Sequence, residues 1–144
     1  MFALEVIPIP VSDVDHALKF YTEQVGFALD IDYRPTPGFR VVQLTPSGSA
    51  CSIHLTNSAS AARLQGLVLV TSDIAAAREV LIGRGVKVSY IRHKTPLETW
   101  SGEFEAGLDT GRRDYASFAD FADPDGNGWT LQERGYSGID RNNA

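Results

Sequence analysis

The stretch Val11-Ser12-Asp13-Val14 returns as Thr71-Ser72-Asp73-Ile74 sixty residues further on, and Ala17 and Ala77 keep the same offset. Ser and Asp side chains accept hydrogen bonds from the free amides that open a helix, so each copy marks a helix start. An apolar stretch precedes each copy, and Gly26 or Gly85 ends the helical segment that follows. Repetition at a fixed offset means two copies of one supersecondary unit. A further signal, Asp123-Pro124-Asp125-Gly126-Asn127, lies between two strand-like runs, and Pro46-Ser47-Gly48 holds a comparable place in the first half. The order strand, helix, several strands is written twice.

In the first copy, residues 3 to 11 are rich in Val and Ile but interrupted by Pro8 and Pro10. Proline lacks the amide hydrogen that a central ladder position needs, so this strand should bend or lie at an edge. A helix capped by Ser12 or Asp13 follows, with Val14, Ala17, Leu18, Tyr21 and Val25 on one apolar stripe. Strands are expected at Phe27–Arg34, Phe39–Leu44 and Ala50–Thr56, separated by Pro- and Gly-bearing turns. The second copy reads as a strand over Leu67–Val70, a helix from Ser72 or Asp73 to about Gly83, and a strand over Val86–Ile91. Between Arg92 and Asp114 no periodicity is evident, which leaves two readings: a lid or binding loop, or disorder. A hairpin of Tyr115–Ala122 and Asn127–Glu133 closes the pattern.

A chain of 144 residues is one domain of ordinary size. A net charge of −5 argues against a nucleic-acid or anionic-membrane surface, both of which need clustered Lys and Arg. Cys51 is the only cysteine, so no intrachain disulfide or CxxC motif exists and a reducing cytoplasm fits. No basic n-region with an apolar core opens the sequence, and no apolar run is long enough to span a bilayer. A soluble, cytoplasmic protein is expected.

Taken together, Val11-Ser12-Asp13 with Ala17 and Phe20-Tyr21, then Gly26-Phe27, Ser72-Asp73-Ile74 and Asp123-Pro124-Asp125-Gly126-Asn127 resemble the vicinal oxygen chelate superfamily. This is also called the glyoxalase, bleomycin resistance protein and extradiol dioxygenase superfamily. No single motif is specific, but the combination and order are. The resemblance implies an α+β fold of two β-α-β-β-β modules forming a curved mixed sheet, with outer helices, an inner cavity and a second subunit completing it. Residues 1–134 are then one glyoxalase-like domain of two modules, about 1–58 and 64–134, followed by a flexible tail, 135–144.

The family's chemistry rests on a divalent metal held by His, Gln and Glu side chains on the first and last strands of each module. Seven residues before each helix-opening Asp stand Val6 and Gly66, and four after the turn glycine stands Thr130. None is a normal side-chain ligand for a catalytic divalent ion. The fourth place falls on Ser52 or His54, which share one strand face. Catalytic sites keep about three protein ligands, so His54 alone would hold a metal weakly. No metal or other cofactor is therefore expected. His16, on the first helix, and His93, at the start of the long segment, have no partner at ligand spacing.

A cavity without metal would be lined by alternate residues of the inner strands: Val6 and Pro8, Ser52 and His54, Gly66 and Val68, Thr130 and Gln132. Apolar walls with a few polar groups suit a small organic ligand. His54 is either a hydrogen-bonded structural histidine or a ligand-contacting, acid/base group. For Ser52, Thr130 and Gln132 the plain alternative is exposure on an open sheet surface. Trp100 could close the cavity and stack on a planar ligand, and Tyr115, at the start of the next strand, could add a phenolic hydroxyl; both could equally serve a dimer contact. Arg112-Arg113 beside Asp114, and Arg40, could meet an anionic head or form surface ion pairs. Asp123 to Asn127 is a turn rather than an EF-hand, because the twelfth position is Arg134 and the flanks are strands.

The expected protein is a homodimer that binds a small organic molecule without a metal, resembling the family's antibiotic-sequestering branch. The alternative is a lyase, isomerase or dioxygenase with an unconventional metal site, or with metal-free acid/base chemistry through His54.

Overall fold

The computed structural model describes residues 1–95 and 103–138. The chain forms two compact units. The first comprises Met1–Gln65 with Arg84–Val86 and Ala122–Gly128. The second holds Gly66–Gly83, Lys87–Phe121 and the chain from Trp129. Among the described residues no helix is long and apolar enough to cross a membrane.

In the first unit, β1 (Val6–Val11), α1 (Val14–Lys19), β2 (Ala28–Thr36), β3 (Phe39–Thr45) and β4 (Ser52–Asn57) follow in order. The strands form a four-stranded sheet in the order β1-β4-β3-β2. β1 runs parallel to β4 and the other pairs are antiparallel. β1 is an outer strand of this sheet, which is how Pro8 and Pro10 are accommodated. Ile9, Val11, Val42, Leu44, Ile53 and Leu55 are almost wholly buried on one face, together with Ala17 and Tyr21 of the helical segment. Burying each large aliphatic side chain contributes about 1.5–3 kcal/mol, so this face holds the unit together.

Asp13 caps α1 by accepting from the His16 amide at 3.1 Å, and Asp73 accepts from Ala76 at 3.0 Å in the second copy. The first helix is not uniform: after Lys19 it widens into a π-helical segment, Phe20–Val25, and Gly26 closes it at φ 92°. The wider turn brings Phe20 inside as well as Tyr21, which the simple stripe does not anticipate. Tyr21 packs edge-on to Phe20 and stacks on Phe27.

The segment Asp123 to Asn127 is a turn, as expected, and its carboxylates are occupied by the protein itself. Buried Asp123 accepts from the Asp125 and Asn127 amides, from Asn127 Nδ2 at 2.7 Å and from the Tyr21 hydroxyl at 2.8 Å. Asp125 accepts from the Ser12 amide and from Arg63.

The second unit contains β5 (Leu67–Thr71), α2 (Ile74–Gly83), β6 (Arg92–Thr95), β7 (Glu103–Ala106), β8 (Ser117–Ala122) and most of β9 (Gly128–Glu133). Its five-stranded sheet has the order β5-β9-β8-β6-β7, with β5 parallel to β9. Ile74, Leu81, Ala119, Phe121, Trp129 and Leu131 are buried, and the Phe121 and Trp129 rings stack at 6.2 Å. Both sheets are mixed and the fold is α+β, as the sequence indicates.

Two expectations for this unit are corrected. Residues 86 to 91 are not a strand: the Ser89 hydroxyl takes the Asp120 amide, so a side chain replaces a ladder acceptor and regular pairing starts only at Arg92. The segment from Arg92 to Asp114 is not wholly irregular, because β6 and β7 pair from Arg92–Ala106 to Thr95–Glu103. Their pattern is hidden by Arg92 and Lys94, whose cationic ends lie over the Phe104 ring. Residues 96–102, including Trp100, and residues 139–144 of the expected tail lie outside the described residues.

Candidate functional site

Strand alternation gives each sheet a buried face and a more open one. In the first unit, Pro8, Gln43 and His54 stand in one row across β1, β4 and β3, with Ile31 beyond Gln43 on β2. Ile31 and the neighbouring Tyr33 are 42% and 58% exposed, so this face is apolar with a few polar handles. The His54 side chain is half-buried, and its imidazole makes no hydrogen bond to any described residue. Ser52 shares its face but is buried, with its hydroxyl 2.6 Å from that of Thr45, which in turn bonds Asp30. Ser52 is therefore fixed within the sheet, whereas His54 retains free donor and acceptor capacity.

Arg40 is not part of this row. It lies on the opposite face, where it bonds Asp15 at 2.7 Å and both oxygens of Asp32 at 2.9 Å. These carboxylates raise the Arg40 pKa, and Arg40 holds the Asp32 carboxyl below its ordinary value.

In the second unit, Val68 pairs with Thr130 and Val70 with Gln132 on the open face, and both valines are more than half exposed. Thr130 donates to Asp120 at 2.9 Å, and Asp120 accepts from Arg92 at 2.7 Å. The Arg92 guanidinium lies over the Phe104 and Phe118 rings, which meet edge to face. Gln132 donates to the Tyr115 carbonyl at 3.1 Å. Tyr115 adopts φ 63°, is 45% exposed, and lies under Arg134 rather than opening β8. The structure thus groups Thr130 with Asp120 and Arg92, and Gln132 with Tyr115.

Arg112 and Arg113 are already engaged. Arg112 grips the fully buried Glu133 at 2.7 and 2.8 Å and stacks on the Tyr136 ring, and the Glu133 carboxylate raises its pKa. Arg113 binds Asp109, not Asp114, and holds the Asp109 carboxyl below its ordinary value. Glu133 also accepts from the Ile74 amide, which ties the end of β9 to the start of α2. His16 is exposed on α1, and His93 lies in β6 with Nδ1 2.9 Å from the Gly107 carbonyl oxygen.

Sequence reasoning overlooked Gln43, Ile31 and Tyr33 on the first open face, and Arg92, Phe118 and Asp120 on the second. The available signal was period-2 alternation in β8, where Phe118 and Asp120 alternate with buried Ala119 and Phe121.

A divalent ion needs several side-chain donors that converge on one point. Among the described residues no three His, Cys, Asp or Glu are grouped closely enough to hold one. Val6 and Gly66 offer no side-chain donor, and the Thr130 hydroxyl is given to Asp120. This donor set does not fit the ion that the family resemblance implies.

Residues 3–131 match the family model described as the glyoxalase/bleomycin resistance protein/dioxygenase superfamily. Among solved structures, the chain is similar to TnmS3, an antibiotic binding protein from Streptomyces sp. CB03234. Identity is 30%, with coverage of 92% of this chain and 96% of that one, and a TM-score of 0.68. A glyoxalase/bleomycin resistance protein from the same organism is 31% identical, with 90% and 99% covered and a TM-score of 0.65. A superfamily member from Sphaerobacter thermophilus DSM 20745 is 26% identical over 93% and 98%, with a TM-score of 0.69. No curated protein matches significantly. The repeated strand-helix-strand order, the two mixed sheets and the match over residues 3–131 agree, and the chain belongs to the glyoxalase/bleomycin resistance protein/dioxygenase superfamily.

Proposed function

We propose that this protein binds a small organic molecule on an open sheet face without the family's divalent ion, acting as a homodimer in a reducing cytoplasm. The observation that carries the reading is His54: a half-buried imidazole with no partner among the described residues, set beside Pro8 and Gln43 near exposed Ile31 and Tyr33. An apolar surface with one or two unengaged polar groups buries a ligand's hydrocarbon while fixing its orientation. The description of a 30% identical neighbour as antibiotic binding supports the ligand class. Exposed Val68 and Val70 support a dimer, since apolar residues on sheet faces gain stability when covered.

The test is a thermal-shift screen of aromatic and cationic antibiotics, followed by calorimetry with and without a chelator. A ligand present at a hundred times its Kd stabilises the fold by about 2.7 kcal/mol, which such a screen detects. The reading predicts saturable binding that a chelator leaves unchanged. Its loss on chelation, or chemical conversion of the bound compound detected by mass spectrometry, would favour the lyase, isomerase or dioxygenase reading instead.

A further inference from the structure

A cavity lies in the first unit on the buried side of the sheet, away from the row that contains His54. It has a volume of about 490 Å³ and is walled by the start of α1, the ends of β2 and β4 and the β2–β3 turn. This is within the size range of roughly 300–1,000 Å³ for small-molecule sites. Its charged lining consists of Asp13, Asp15, Arg34 and Arg40, with Ser12 and Asn57 among the neutral groups.

The two arginines differ. Arg40 is already paired with Asp15 and Asp32. Arg34 makes no hydrogen bond or ion pair with any described residue, although its charge helps to lower the Asp32 pKa. The hydroxyl of Ser12 and the carboxamide of Asn57 are also without hydrogen-bond partners among the described residues. Asp13 spends one oxygen on the His16 amide and keeps the other. A simple anion would meet Asp13 and Asp15, and a simple cation would meet Arg34. A molecule carrying both charges satisfies both ends.

We propose that this cavity binds a zwitterion of amino-acid or short-peptide type, with its carboxylate on Arg34 and its ammonium on Asp13. Ser12 and Asn57 supply neutral hydrogen bonds between the charged ends. Charge-assisted bonds to guanidinium and carboxylate give such a site its selectivity. This site is separate from the open sheet face and does not depend on what binds there.

The experiment uses the full chain, isotope-labelled, titrated with L-alanyl-L-alanine and with its N-acetylated and C-amidated forms while backbone amide shifts are followed. The proposal predicts saturable shifts around Ser12, Asp13, Arg34 and Asn57, and a loss of about tenfold or more in affinity for each blocked form. Arg34→Gln should weaken the parent dipeptide about tenfold and leave the affinity of the C-amidated form unchanged. Equal affinity for all three forms, no saturable shift, or shifts confined to the His54 face would overturn it.

Discussion

Thr130 donates its hydroxyl to Asp120 across 2.9 Å, at the place where the family resemblance puts a metal-binding carboxylate. Asp120 also receives Arg92 at 2.7 Å, so its negative charge is balanced within the open face. Thr130→Val keeps the shape and removes the donor. It should cost about 0.5–1.5 kcal/mol in urea unfolding, the usual net value of one hydrogen bond, because Arg92 still holds Asp120.

The Tyr21 hydroxyl reaches Asp123 at 2.8 Å across 102 residues of sequence and ties the helical segment to the turn. Tyr21→Phe leaves the ring stack on Phe27 in place while Asp123 loses one donor. A bond to a charged, buried acceptor is worth about 1.5–3 kcal/mol, and chemical denaturation should show a loss in that range.

Arg112 neutralises a carboxylate that has no solvent exposure. Arg112→Leu leaves Glu133 buried and uncompensated, which should destabilise the protein by about 3–5 kcal/mol. Adding Glu133→Gln should restore a substantial part of that loss, and comparing the double variant with both single variants measures the coupling.

Arg113 holds the Asp109 carboxyl below its ordinary value, so the folded protein binds this proton less readily than the unfolded chain does. The pairing therefore adds stability above the unfolded value of about pH 3.9, and this contribution is lost as pH falls below it towards the folded pKa. Unfolding of wild type and Arg113→Gln should differ at neutral pH and converge in acid. A gap that widens on acidification would contradict the assignment.

The helix starts were legible because capping is local: Asp13 and Asp73 each meet an amide three residues on. The outer position of β1 followed from Pro8 and Pro10 for the same reason. Partners far apart in sequence left no local mark, so neither the Tyr21–Asp123 bond nor the burial of Glu133 under Arg112 could be read beforehand. β6 and β7 were obscured because Arg92 and Lys94 lie over aromatic rings, a role that hydropathy assigns to apolar residues. Of the candidate site, the shared face of Ser52 and His54 follows from strand period alone. The position of Arg40 on the other face needed the register of β3 against β4.

The most direct test of metal-independent binding is elemental analysis of purified, tag-free protein, joined to calorimetric titration with Zn²⁺, Mn²⁺ and Fe²⁺ for wild type and His54→Ala. Metal-independent binding predicts no stoichiometric metal and no saturable divalent binding in either protein. One metal ion per chain in the wild type, lost in His54→Ala, would contradict it and make His54 a ligand of an unconventional metal centre.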